Sequence, residues 1–330
     1  MRASWRPGRK LPRMSLGGKI KRSSNKYIVL GANGPIGSSF VRRLGGQNVP
    51  VVEFSHSPKP GQRRYDFLSD SPNILRLEPR ASYVVVICSG FSNIDQCRRE
   101  PDVSHRINVS APTDLLNYIE GYEAIPVFIS TDCVFDGAKN IYVESDKPNP
   151  LNLYGEQKLA IEELIVRKFR SHLILRSSKV LGFDPQNWVM QQIVALSEGR
   201  AIPCFTDRQY APLVIDDIEA FVGLALEHGC SGTYHLGQNE ALTPYQQMAR
   251  IAGDLGFART MLHEMTMNEV RLLERRALKT HLCNEKAKAV GNFEFTSFDD
   301  FMESLGAMRF VKEAESGSRL ADALVNIRKQ

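Results

Sequence analysis

The stretch "SYVVVIC", residues 82–88, limits the fold more than any other. From Val84 to Cys88 it is continuously apolar and rich in valine, with no alternation of polar and apolar positions. A strand of that kind must be covered on both faces, as strands are in a parallel sheet with helices above and below. The chain around it keeps to the same frame. "KYIVL" runs into a glycine loop and the helically spaced "SSFVRRL", and "VPVVEFS" reads as the next strand. In "VSHRINVSAPTDLLNYIEGY", Ile107, Leu115, Leu116 and Ile119 mark a buried helical face; "IPVFIS" is a strand, Tyr154 to Phe169 a helix, and "SHLILRSS" a strand. This alternation predicts right-handed βαβ crossovers and an α/β, doubly wound parallel (Rossmann) sheet.

After Ser178 the rhythm loosens, and a length of 330 residues suits two lobes that share one cleft. Residues 26–178 plus 213–229 are expected to form the dinucleotide-binding lobe, with "LVIDDIEAFVGLALEH" as the returning helix. A smaller, discontinuous C-terminal α/β substrate domain is expected from 179–212 plus 230–310, with helices at Trp188 to Ser197 and after the Thr-Pro start in "ALTPYQQMARIAGDLGF". Residues 311–330 read as a polar extension.

Charge says little about partners. The net charge of +5 rests on residues 1–25, which carry eight Lys or Arg and no acid; without them the balance is −3. The segment reads as a basic disordered tail, with Met14 as a second candidate start and a weak likeness to an organelle transit peptide. No nucleic-acid partner is expected. No run approaches the roughly 20 apolar residues of a membrane span. Six scattered cysteines without a Cys-x-x-Cys, and histidines that do not cluster near them, argue against zinc and against a disulfide framework, so no metal is expected and the cytoplasm is the default compartment.

"GANGPIG" sets Gly31, Gly34 and Gly37 between a strand and a helix, where glycine permits the turn, the approach of a pyrophosphate and close packing of helix on strand. The same loop also occurs for structural reasons alone. Glu53, near the end of the second strand, would favour NAD by accepting from the ribose; Arg63 or Arg64 would instead pair with the 2′-phosphate of NADP. The cofactor is therefore NADP or NAD, with the choice open.

Tyr154 and Lys158 stand four residues apart on one predicted helix and so share a face. An ammonium near the phenol would lower its pKa and make it a workable acid–base group. Thr131 falls at the C-terminal end of a predicted parallel strand, where ligands bind in open α/β sheets, and its hydroxyl could bond the same carbonyl oxygen. The alternatives are an exposed helix surface for the pair and a local turn for Thr131.

With these stretches in place, the sequence resembles an extended short-chain dehydrogenase/reductase and, more narrowly, the dTDP-4-dehydrorhamnose reductase group. The matching stretches are "GANGPIG", "YDFLSD", "STDCVFDG", "ESDKPNPLNLYGEQKLAIEE", "LILRSSKVLG" and "YHLGQNEALTPYQQMA". The resemblance implies that Gly34, Pro35 and Ile36 hold the pyrophosphate, Asp66 and Phe67 flank the adenine, and Gly90, Phe91 and Ser92 border the cofactor. It implies Tyr154 as the acid, Lys158 as its partner on the ribose, and Thr131 and Asp132 against the sugar. The implied reaction is hydride transfer to C4 of a 4-keto-6-deoxy sugar on a nucleotide, giving a donor for surface polysaccharide; a homodimer is compatible. Three departures face the substrate. Cys133 stands where this group usually has tyrosine, Lys179 where it has tryptophan, and "RRALKTHL" lacks the usual proline. A sugar-nucleotide epimerase, or a non-catalytic binding subunit like the regulatory subunit of methionine adenosyltransferase, is the alternative.

Overall fold

The computed structural model of the chain describes residues 25–306. The expected C-terminal extension and all of the basic tail except Asn25 lie outside them. Strand β1 (Lys26–Leu30) turns through the glycine loop into α1 (Pro35–Gly46) and returns as β2 (Val51–Ser55), with the two-residue β3 (Arg63–Arg64) beside it. From β4 (Ser82–Ile87) the chain passes through α2 (Ile94–Arg99), α3 (Pro101–His105), a π-helical turn (Arg106–Ser110) and α4 (Ala111–Ile119) to β5 (Glu123–Thr131). Helix α5 (Leu153–Lys168) then leads to β6 (Leu173–Ser177).

Short strands β7 (Val180–Leu181) and, further on, β9 (Leu213–Val214) pair across the neck between lobes, bracketing α6 (Trp188–Ser197) and β8 (Ile202–Phe205). Helix α7 (Ile215–Glu227) returns to the sheet and precedes β10 (Gly232–Leu236); α8 (Pro244–Leu255), β11 (Leu262–Met265) and α9 (Glu285–Lys288) complete the named elements.

The main sheet has seven parallel strands in the order β10-β6-β5-β4-β1-β2-β3. Its β4 shows why the run at 84–87 has no period. Val84 and Val86 enter the core shared with α1 and α7, while Val85 and Ile87 enter the core shared with α4 and α5. Each such side chain contributes about 1.5–3 kcal/mol through burial. Strand order reverses between β1 and β4, and the crevice at that switch point is where open α/β sheets take ligands.

The smaller lobe has its own core, built from Val189, Met190 and Ile193 of α6, Ile202 and Cys204 of β8, Met248, Ile251 and Leu255 of α8, and Phe298 and Phe301. Its α8 begins with a capping box between Thr243 and Gln246, as the Thr-Pro signal implied.

One boundary moves. Gly232–Leu236, which the sequence placed in the substrate domain, is the edge strand of the main sheet, paired with β6. Tyr234 and Leu236 share a core with Phe221 of α7 and with Val290 and Phe293, so α7 is the crossover helix into β10 and the first lobe continues past residue 229.

Candidate active site

Gly31 closes β1 with φ +86°, and a Cβ there would lie 2.9 Å from the Ser89 amide nitrogen. Six residues on, a Cβ at Gly37 would sit 2.1 Å from the Gly31 carbonyl oxygen, so both glycines are demanded by the turn itself. Gly34 is different. A Cβ there would meet only the Gly31 carbonyl, at 3.4 Å, and would project into open space above the start of α1. That helix has Pro35 at its first turn, no side-chain cap, and its first intrahelical bond only at Ser38, which donates to Gly34 (2.9 Å). Uncapped amides with an open cradle above them fit a dinucleotide's pyrophosphate.

Across the switch point, the loop Gly90–Ser92 is clamped from behind. The Phe91 amide donates to Asn108 Oδ1 (2.8 Å), and Asn108 Nδ2 donates to the Phe91 carbonyl (2.9 Å) and to Gln157 Oε1 (2.8 Å). Asn108 sits in the π-helical turn, a local irregularity that often marks functional positions. Because Gln157 lies on α5, the loop is tied to the helix that carries Tyr154 and Lys158.

Helix α5 starts on Asn152, whose Oδ1 accepts from the Gly155 amide (2.9 Å). A Cβ at Gly155 would lie 2.2 Å from the Cys133 carbonyl oxygen. Only glycine lets the first turn of α5 rest directly on the turn after β5, and this contact brings Tyr154 to Thr131. Thr131 accepts from the Cys133 amide (3.2 Å) and donates to Asp132 Oδ1 (3.2 Å), and its hydroxyl is near enough to the Tyr154 phenol to hold that group's pKa down a little. The local turn and the shared cleft are therefore both present. Asp132 is buried and also accepts from Thr280 Oγ1 (2.5 Å).

Lys158 lies behind the tyrosine. Its Nζ donates to the Ile129 carbonyl (2.6 Å) and stands 3.9 Å from the Phe128 ring centroid. Burial pulls its pKa down to about 8, against the nearby charges of Glu162 and Cys88. Glu162 is fixed in turn. It accepts from Ser130 and from Arg176, whose Nε lies 3.1 Å from each carboxylate oxygen and whose Nη2 lies 2.6 Å from Oε2.

The phenol departs from expectation. Tyr154 is pushed well above its ordinary value, chiefly by burial and then by Cys133 and Asp132, and the charge of Lys158 is not among the causes. The fold commits that charge to Ile129 and Phe128, while the acidic neighbours were invisible in the spacing of Tyr154 and Lys158. Cys133 is similarly pushed up to about 12 by burial, with Asp132 adding to the effect.

At the far end of the dinucleotide groove, Asp66 is held by Arg64 (3.3 Å) and accepts from the Leu68 amide (3.0 Å). The Phe67 ring packs into the core against Tyr65 (5.2 Å, edge-on), so Phe67 offers a ligand its backbone only. Glu53 lies two residues before the end of β2 and accepts from Gln62 Nε2 (2.9 Å). The tip belongs instead to Ser55, whose hydroxyl accepts from Asn33 of the glycine loop (3.0 Å). Arg63 and Arg64 form the exposed β3.

The opposite wall comes from the smaller lobe and its approach segments. Lys179 leaves β6 at the neck, where its carbonyl accepts from the Leu213 amide (3.0 Å), and its Nζ stands 5.8 Å from the Trp188 ring centroid. Although Lys179 is exposed at the surface, its pKa is lowered, first by partial loss of water around the ammonium and then by the charge of Arg208; Asp132 and Cys133 act the other way. Arg276 is held by Asp95 (3.0 Å).

Several of these groups carried no local signal. Asn108, Gln157, Glu162, Arg176, Arg208 and Thr280 matter through contacts made by folding. Gly155 was legible, because a glycine in the first turn of a helix costs about 1 kcal/mol against alanine and so hints at a close approach. Among the described residues no cluster of His, Cys, Asp or Glu could hold a metal ion, and no helix is long and apolar enough to cross a membrane.

A family model described as the RmlD substrate binding domain matches residues 25–308. The chain is 31% identical over 259 residues to the probable low-salt glycan biosynthesis reductase Agl14 of Haloferax volcanii, covering 74% of this chain and 84% of that one. It is 25% identical over 262 residues to methionine adenosyltransferase 2 subunit beta of Rattus norvegicus, covering 76% and 78%. Its fold matches the crystal structure of dTDP-4-dehydrorhamnose reductase from Bacillus anthracis in complex with NADP, with a TM-score of 0.77, 21% identity, and 86% and 98% of the two chains covered.

Proposed function

The chain belongs to the RmlD substrate-binding-domain family of extended short-chain dehydrogenases/reductases, and from that premise we propose that it is an NAD(P)H-dependent reductase of a nucleotide-linked keto sugar. The observation that carries this reading is the seating of Gly155 on the Cys133 carbonyl, which sets the first turn of the helix bearing Tyr154 and Lys158 directly on the turn that holds Thr131, beside a glycine loop open to a pyrophosphate.

Gly34, Pro35 and Ile36 would hold the pyrophosphate, Asp66 and the Phe67 backbone the adenine side, and Gly90, Phe91 and Ser92 the far wall. Lys158 spends one of its three N–H donors on Ile129 and keeps two for the ribose. When bound, the cofactor supplies the hydride for the carbonyl carbon. Tyr154 gives its phenolic proton to the oxygen that becomes the new hydroxyl, and Thr131 hydrogen-bonds the same oxygen. Burial, with Cys133 and Asp132, keeps the phenol protonated, so the proton it gives in the reductive direction is in place, while its raised pKa must fall as the substrate oxygen takes on charge. The favoured substrate is a 4-keto-6-deoxy sugar made into a glycan donor, in a reducing cytoplasm suited to six unpaired thiols.

The likeness to methionine adenosyltransferase 2 subunit beta favours a second reading, a binding subunit without turnover. Oxidation of NADPH and NADH, followed at their absorbance band with a panel of 4-keto sugar nucleotides, separates the two. The reductase reading expects turnover by the wild type and none by Tyr154→Phe. It is lost if both are equally inactive across the panel while a protein partner binds tightly.

A further inference from the structure

We propose that Glu162 and Arg176 are a positioning pair for Lys158: the carboxylate holds the ammonium in its charged form from one helical turn away, and the guanidinium keeps the carboxylate from capturing it. This rests on the reductase reading for what the ammonium meets, the cofactor ribose, and on the packing beneath α5 for the pair itself.

Lys158 and Glu162 stand four residues apart on α5, both buried, at a spacing where a lysine and a glutamate can join across one turn. They do not join here. Lys158 Nζ donates to the Ile129 carbonyl (2.6 Å), and Glu162 accepts from the Ser130 hydroxyl, so the two reach consecutive residues of β5 rather than each other. The carboxylate is occupied by Arg176 of β6, whose Nε lies 3.1 Å from both oxygens and whose Nη2 lies 2.6 Å from Oε2. That fork is itself held in place. Arg176 Nη1 lies 3.4 Å from His235 Nε2 on β10, and its Cζ stands 5.1 Å from the Phe135 ring. His235 Nδ1 donates to the Tyr142 carbonyl (3.1 Å), and burial with the charge of Arg176 pushes its pKa down to about 3, so the ring is neutral and accepts from Arg176.

A buried ion pair adds little to stability over apolar residues of the same volume, so a pair placed under a functional lysine points to a second role. Without Arg176, Glu162 would be free to close on Lys158 and draw its ammonium off the cleft. Without Glu162, the ammonium would stay buried with its chief counter-charge gone. The other groups around Lys158 leave this role to Glu162. Tyr154 on the same helix and Cys88 at the end of β4 are both kept neutral by burial, and Asp132 acts on Tyr154 rather than on Lys158.

The test is the pH dependence of Lys158 acetylation by acetic anhydride in the full chain, read by peptide mass spectrometry, beside NADPH binding followed by its fluorescence. The midpoint of acetylation should fall by about one pH unit in Glu162→Gln and rise by about one in Arg176→Met, where the freed carboxylate closes on the ammonium. NADPH binding at pH 7 should weaken about tenfold in Arg176→Met, and in Glu162→Gln its decline with pH should begin about one unit lower. A pair with a structural role alone would move the two midpoints alike or not at all. Each single variant strands a buried charge, so the double variant Glu162→Met/Arg176→Met, which strands none, is measured with them, and its midpoint should fall as in Glu162→Gln. The inference is overturned if natively folded Glu162→Gln or the double variant titrates as the wild type does, or if the two single variants shift the same way. Shifted midpoints in a chain that binds no NADPH would sink the reductase reading and leave this one standing; turnover of a keto sugar with unshifted midpoints would do the reverse.

Discussion

On the sheet wall of the cleft, Lys158 donates to Ile129, Asn108 and Gln157 clamp the loop after β4, and Glu162 is locked by Arg176 and Ser130. On the lobe wall, Arg208 Nε and Trp188 Nε1 are buried without partners, and Lys179 has only the face of an indole. The first wall is organised before any ligand arrives, as chemistry with tight geometric demands requires. The second holds polar capacity in reserve. A single fold can thus keep the proton donor fixed while the substrate it accepts is set by a few side chains opposite.

The contrast breaks most visibly at Tyr154. Tyr154→Phe should lower the rate of keto-sugar reduction by about 10²–10⁴-fold. The loss should be the same for every substrate that turns over, with cofactor affinity little changed. Steady-state kinetics on two or more keto sugars check this, and a loss confined to one of them would mean that the sheet wall also selects substrate.

Next in size is the buried pair behind Lys158. Glu162→Leu leaves Arg176 with an uncompensated charge that is almost fully buried, and breaking such a pair costs about 3–5 kcal/mol. Urea unfolding should show a lower midpoint with an unchanged slope. A variant as stable as the wild type would show that the sheet wall is less rigidly built than its hydrogen bonds suggest.

Gly155→Ala probes the seating of α5. The new methyl group would lie 2.2 Å from the Cys133 carbonyl, so the helix must shift, at about 1–3 kcal/mol of stability. Tyr154 would move away from Thr131, and the rate should fall more than the affinity for either ligand. Loss of stability with unchanged kcat would separate the seat of the helix from the position of the phenol.

What the sequence made legible follows the range of the interactions. The doubly wound sheet, α6 at Trp188–Ser197 and the start of α8 rest on short-range signals: apolar runs, a helical spacing, a Thr-Pro cap. The place of β10 did not, because an edge strand is assigned by its neighbour β6, far away in the chain. Arg208 had no signal at all, since its lack of a partner exists only once Asp207 has turned to Met267. The phenol's upward shift was missed for a related reason: its spacing to Lys158 shows the lysine but hides Asp132 and Cys133, which folding places closer in effect.

The smallest expected effect is a pH dependence that tells the walls apart. Lys158 has its folded pKa lowered to about 8, below its unfolded value, so its ammonium is lost as pH rises through 8. The KM for NAD(P)H should therefore climb severalfold between about pH 7 and 9, approaching at most about tenfold per pH unit, while kcat stays level because Tyr154 remains protonated. Stability moves the other way. Between the two lysine pKa values the unfolded chain binds more protons, so this group's contribution rises with pH above about 8 and is unfavourable below it. Lys158→Met should abolish both trends. Lys179 is also lowered, but it faces the lobe side, so its titration belongs in the KM for the sugar nucleotide. If the cofactor KM changes with pH in Lys179→Met but not in the wild type, or the sugar KM follows Lys158, then charge crosses the cleft and the two walls are one electrostatic unit.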